Sequence, residues 1–131
     1  MLYDLKAPIL GFENILQVEF EKIDDIFSKI NSLDETLSIV LVNPYMLREY
    51  SFAVPKCVEL LLELDKDSQV EVYCVVVLQK DLESSMVNFL APLIFNPKNN
   101  TAAQIALSIL DYPDFGVKET LKSFVKQEMG A

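Results

Sequence analysis

The sequence predicts a mainly β fold: a small, partly open antiparallel β-barrel of short strands with one internal helix and a C-terminal helix. All of it falls in one domain over residues 1–131. Three observations lead there. Several short runs alternate apolar and polar residues with the period of two that marks a half-buried strand. A single internal run, opened by Pro55, keeps helical spacing. Turn residues punctuate these runs every few positions, as in a small all-β barrel. No repeat, Gly/Ser linker or low-complexity tract divides the chain.

Residues 2–6 alternate enough for a first strand, which Pro8 stops. Gly11-Phe12 marks a turn with a buried aromatic beside it. Residues 15–22 (ILQVEFEK) put Leu16, Val18 and Phe20 on an inner face and Gln17, Glu19 and Glu21 on an acidic outer one. Asp24-Asp25 interrupts that strand. Residues 26–30 fit a short strand or one helical turn, and the polar residues 32–36 fit a loop. Residues 37–42 (LSIVLV) make a strand ended by Asn43-Pro44, and residues 45–50 suit one helical turn.

Pro55 is suited to the first turn of a helix. Val54, Val58, Leu61, Leu62 and Asp65 then follow helical spacing, and Leu60 and Leu64 widen the stripe that would lie on a sheet. The run closes at residues 65–68. Residues 69–79 (QVEVYCVVVLQ) form the strongest strand. It is apolar on both faces, which places it centrally or under cover on both sides. Residues 86–90 and 93–96 read as two short strands around Pro92, which implies an edge, a bulge or a bend. A turn at residues 97–100 leads to a strand in which Ala103, Ile105, Leu107 and Ile109 alternate with smaller or polar residues, ended by Tyr112-Pro113. The tail is a second helix candidate over residues 117–128. Its apolar stripe is Val117, Leu121, Phe124 and Val125, and Lys118, Lys122 and Lys126 lie four apart on the polar side.

Composition narrows the function. The chain carries 20 Asp plus Glu against 11 Lys plus Arg, a formal charge of −9, and no His. Without His there is no His-based triad and no Cys-His zinc site. Such acidity argues against a nucleic-acid surface, which needs Lys and Arg for phosphates, and suits a basic protein partner. Cys57 and Cys74 both sit in apolar settings and read as buried reduced thiols. The N-terminal residues lack the basic start and apolar core of a secretory signal, and no run is long and apolar enough to span a membrane. The expected compartment is the cytoplasm.

One segment is more specific than composition. It is Asn88-Phe89-Leu90-Ala91-Pro92-Leu93-Ile94-Phe95-Asn96-Pro97, followed by Gln104-Ile105-Ala106-Leu107. It resembles the flagellar assembly factor FliW family, which carries an N-L-x-A-P-[IV]-x-[IV]-N stretch, a loop, and a Gln that starts a strand. Gly11-Phe12-Glu13, Phe52 with the helix after it, the Val-rich strand and Tyr112-Pro113 match in the same order, over roughly residues 1–115. There are departures. Ala7-Pro8-Ile9-Leu10 replaces the usual Leu-Pro, Asn31-Ser32-Leu33 stands near an expected Leu-Gln-Ser, and Asp114-Phe115 follows Tyr112-Pro113 where basic residues are common.

The resemblance implies binding rather than chemistry, with no cofactor and no metal. FliW-like proteins bind flagellin and also CsrA, a small dimeric RNA-binding repressor of flagellin translation. Export of flagellin frees FliW to bind the repressor and relieve it. Partner-contact candidates are Glu19, Glu21, Asp24 and Asp25 as an acidic patch, with Asn88, Leu90, Pro92, Asn96 and Gln104 from the shared motif. The acids and the two asparagines have plainer alternatives: the acids as a solvated face, Asn88 and Asn96 as groups that satisfy the backbone around Pro92. Three competing readings remain open: a flagellin-binding protein that is structural or chaperone-like without translational control, a structural subunit of the flagellum, and an enzyme that pairs carboxylates such as Glu19 and Asp25.

Overall fold

Seven strands hydrogen-bond into a ring in the computed structural model, which describes residues 1–34, 36–77, 80–81, 84–115 and 119–120. They are β1 (Leu2–Ala7), β2 (Gln17–Lys22), β3 (Phe27–Ser32), β4 (Ser38–Val42), β5 (Glu71–Val77), β6 (Met86–Asn96) and β7 (Thr101–Gln104). β1 with β2, β2 with β3, β3 with β4, β4 with β5 and β5 with β6 all pair antiparallel. β7 pairs antiparallel with β6 and parallel with β1, which closes the ring. The barrel is thus paired all the way round, with one parallel seam that no local pattern announces. A two-residue strand, β8 (Glu119–Thr120), adds to the start of β6.

Two apolar clusters explain the alternation. One draws a residue from every strand of the ring: Tyr3, Val18, Ile30, Leu41, Tyr73, Phe95 and Ala102. Side chains common to all seven strands fill the barrel interior. Tyr3, Phe20, Tyr73 and Phe95 meet there ring to ring, with Tyr3 and Phe95 edge-on at 5.0 Å between centroids. The other cluster lies on the outer face of β4, β5 and β6, where Val42, Val72, Cys74, Val76, Val87 and Ile94 pack with Val58 and Leu62. Successive residues of β5 therefore serve opposite clusters, which is why it is apolar on both faces.

Val58 and Leu62 come from the helix α1 (Lys56–Leu61) and its C-terminal cap. It is shorter than its apolar stripe suggests. Glu63 turns left-handed at φ 55°, and the Leu64 amide bonds back to the Glu59 carbonyl at 2.8 Å. Leu60 and Leu61 consequently face solvent, Leu60 at 71% exposure, rather than the sheet. Asn43-Pro44 opens a single 3₁₀ turn (Pro44–Met46), with the Asn43 side chain capping the Tyr45 amide at 3.0 Å.

Other expectations need adjustment. Residues 27–32 are a strand, not a helical turn. Leu16 precedes β2 and is exposed, so the inner face begins at Val18. At the Gly11 turn (φ +89°) Phe12 is exposed and the buried side chain is Ile9. The two runs around Pro92 are one eleven-residue strand. Tyr73 faces Leu93 while Val75 faces Asn88, so β6 bulges between them, and Pro92 sits where the ladder to β5 is interrupted. The expected tail helix is replaced at residues 119–120 by β8, and the rest of that span lies outside the described residues. Among the described residues no helix is long and apolar enough to cross a membrane.

Candidate functional site

The motif residues work inside the fold. Asn88 accepts the Leu90 amide on its own side-chain oxygen at 3.0 Å, which satisfies a donor that the bulge takes out of the ladder. Leu90 and Pro92 are buried. Asn96 is 1% exposed; its Nδ2 donates to the Leu62 carbonyl at 2.8 Å and its Oδ1 accepts the Lys98 amide at 3.2 Å. Gln104 accepts the Leu10 amide at 2.8 Å and donates to the Ala91 carbonyl at 3.2 Å, so it bridges the Gly11 turn to the bulge. Sequence spacing cannot show such a role, because Gln104 and Leu10 stand 94 positions apart.

The four acids lie together on the outer side of β2 and in the turn after it, and each is engaged. Glu19 meets the Met1 ammonium at 2.6 Å. Glu21 faces Lys29 across the β2–β3 pair, with 3.4 Å between charged atoms. Asp25 stands 3.9 Å from Lys22. Asp24 accepts the Ile26 and Phe27 amides at 2.8 and 2.7 Å, and these backbone bonds hold its carboxyl below the usual range. Four carboxylates are thus set against three cationic groups, all exposed to water. The patch is close to balanced locally, and what it offers a partner is mainly the weak long-range field of an acidic molecule.

A different surface lies at the opposite end of β2. A groove of about 630 Å³ runs between the ends of β1 and β2 and the turn that joins β3 to β4. Leu5, Ile15, Leu16 and Leu33 form its apolar lining, and Asp4, Asn14 and Asp34 are among its polar residues. The pairing of Val18 with Ser32 and of Lys22 with Ser28 sets this groove apart from the Asp24-Asp25 turn by the length of the two strands. Asp34 is held by Ser32 Oγ and Thr36 Oγ1, each donating at 2.7 Å, and by the Thr36 amide at 3.1 Å. These bonds bring its carboxyl down to about 2. The sequence pattern hides this groove because it puts Leu16 on the inner face and residues 32–36 in a polar loop.

A third hollow is lined by Tyr45, Arg48, Tyr50, Asp114 and Phe115. Arg48 lies over the Phe115 ring at 5.0 Å and the Phe89 ring at 5.5 Å and donates to the Asp114 carbonyl at 2.9 Å. Tyr50 donates to the Phe89 carbonyl at 2.7 Å and stacks on Phe115. This aromatic packing ties the segment before β8 to the outer cluster. Cys74 is buried beneath Tyr50, and burial pushes its thiol up to about 12; Cys57, contrary to the sequence reading, is exposed. Among the described residues no three His, Cys, Asp or Glu side chains gather where they could hold a metal.

Comparison with known proteins places this arrangement. The FliW protein family model matches residues 1–121. The flagellar assembly factor FliW of Helicobacter pylori strain G27 is 66% identical over 131 residues, covering 98% of this chain and 97% of that protein. Flagellar assembly factor FliW 1 of Wolinella succinogenes is 51% identical over 128 residues, covering 97% of this chain and all of that protein. A crystal structure of the flagellar assembly factor FliW superposes with a TM-score of 0.81 at 18% identity, covering 92% of this chain and 84% of that one, and so shares the fold. On a match that runs from the first strand of the ring through β8, the chain belongs to the FliW family.

Proposed function

We propose that this protein binds flagellin and antagonises the translational repressor CsrA, so that release of flagellin relieves repression of flagellin mRNA. The observation that carries the reading is the family match over residues 1–121. The charge of −9 supports it, because an RNA-binding repressor must present basic surface and an acidic molecule attracts such a partner at long range. On this reading the protein is cytoplasmic and makes or breaks no bond. Glu19, Glu21, Asp24 and Asp25 contribute to attraction, whereas Leu90, Pro92 and Asn96, being buried, affect partners through the shape of the barrel.

A pull-down with purified flagellin and CsrA, each alone and then together, tests the proposal. It predicts capture of each protein alone and loss of CsrA capture when flagellin is in excess. Capture of flagellin without CsrA would leave the chaperone-like reading instead. Capture of neither would remove the proposal.

A further inference from the structure

We infer that the groove lined by Leu5, Leu16 and Leu33 is the seat for a short basic, amphipathic segment of a protein partner. The inference rests on the binding function proposed above and says which surface carries it. Two features of the groove select that occupant.

The first is apolar surface with no role in the fold. Leu16 and Leu33 are 70% and 62% exposed, and neither belongs to the barrel interior or to the outer cluster. Two large aliphatic side chains beside one hollow suit the anchors of an amphipathic helix or extended segment. The second is charge without a counter-ion. Asp4 and Asp34 line the same hollow, and among the described residues no Lys or Arg does. Asp4 is bonded to the neutral Gln17 amide at 2.6 Å, and the three bonds to Asp34 all fall on Oδ1. Neither carboxylate forms an ion pair among the described residues. Glu19, Glu21 and Asp25 differ, since each already has a cation within 4 Å. A Lys or Arg that flanks an aliphatic anchor would find in the groove the acidic partners that the outer patch has already matched.

The test is an NMR titration of the full chain with three synthetic peptides. One has Leu at positions three and four apart with Lys elsewhere, one replaces its Lys with Glu, and one replaces its Leu with Ser. The Lys/Leu peptide is expected to move the amide signals of Leu5, Leu16 and Leu33. L16S combined with L33S should weaken it about tenfold or more, and D4N should weaken it less. The exposed sites make all these variants compatible with folding, which the dispersion of the remaining amide signals checks.

Shifts centred on the Asp24-Asp25 turn overturn the inference, as does equal binding of the Lys/Ser or Glu/Leu peptide. Groove signals that move with protein concentration alone assign the surface to a second copy of the chain and also overturn it. The wider function is scored separately. If the L16S/L33S variant still captures flagellin and CsrA like the unchanged protein, the groove assignment fails and the function stands. If the unchanged protein captures neither, the function fails whatever the peptides do.

Discussion

Asn96 holds the carbonyl of Leu62, the C-terminal cap of α1, at 2.8 Å, and so fastens the helix to the end of the longest strand. Asn99 donates to the same oxygen at 3.0 Å. The Asn96 side chain is the joint between the barrel and the element that covers its outer face.

Replacing Asn96 with Ala removes that donor and also strands the Lys98 amide. A buried hydrogen-bonding side chain of this kind contributes about 1–3 kcal/mol, softened here because Asn99 still reaches Leu62. Urea unfolding should show a lower midpoint with an unchanged slope. A midpoint equal to that of the unchanged protein would mean that Asn96 is not structural and is free for another role.

The two cysteines should separate in reactivity. Cys57 is exposed, and Cys74 is buried with its thiol raised to about 12. Near neutral pH, a thiol reagent should titrate one group quickly in the folded protein and the second only after denaturation. Fast reaction of two groups would contradict the packing of Tyr50 over Cys74.

Acid should reveal the Asp34 turn. Its folded carboxyl titrates near 2, below the ordinary carboxylate range, so the unfolded chain binds the extra proton first. The resulting stabilisation is fully present above the ordinary range and is lost as pH falls toward 2. Asp24, also lowered, acts with the same sign. Asp34→Asn should therefore reduce Tm near neutrality, and the difference from the unchanged protein should shrink as pH is lowered from about 5 to about 2. A difference that stayed constant with pH would show that the charge of Asp34 is not involved.

The outer acids should matter little to folding. The ion pairs of Glu21 with Lys29 and Asp25 with Lys22 are solvent-exposed, and such pairs contribute about 0–1 kcal/mol. The combined Glu19→Gln, Glu21→Gln, Asp25→Asn variant should keep its thermal midpoint within a few degrees. If those acids steer a basic partner, the variant should also show a slower association whose dependence on salt is weaker. A large loss of stability would mean that the patch is part of the fold.

Local pattern made much of the barrel legible. Period two located β1, β2 and β5, and the two apolar faces of β5 correctly implied cover on both sides. Three things were not legible, for physical reasons. Apolar spacing continues past Glu63, but the left-handed backbone there ends the helix. Pro92 signalled an interruption, yet only pairing with β5 and β7 shows one bulged strand. The parallel seam of β1 with β7 joins residues about a hundred positions apart. The candidate surface was half legible. The acids were found, but their cations arrive from Met1, from Lys22 at the end of β2 and from Lys29 on the neighbouring strand. The leucine groove was hidden because Leu16 continues the alternation of β2 one step beyond the strand itself.

Titration calorimetry of CsrA into this protein, alone and then saturated with flagellin, tests the central claim most directly. Occupancy of one surface system by two alternative partners predicts a saturable heat in the first case and its loss in the second. A CsrA isotherm unchanged by flagellin, or no heat with either partner, would contradict the account.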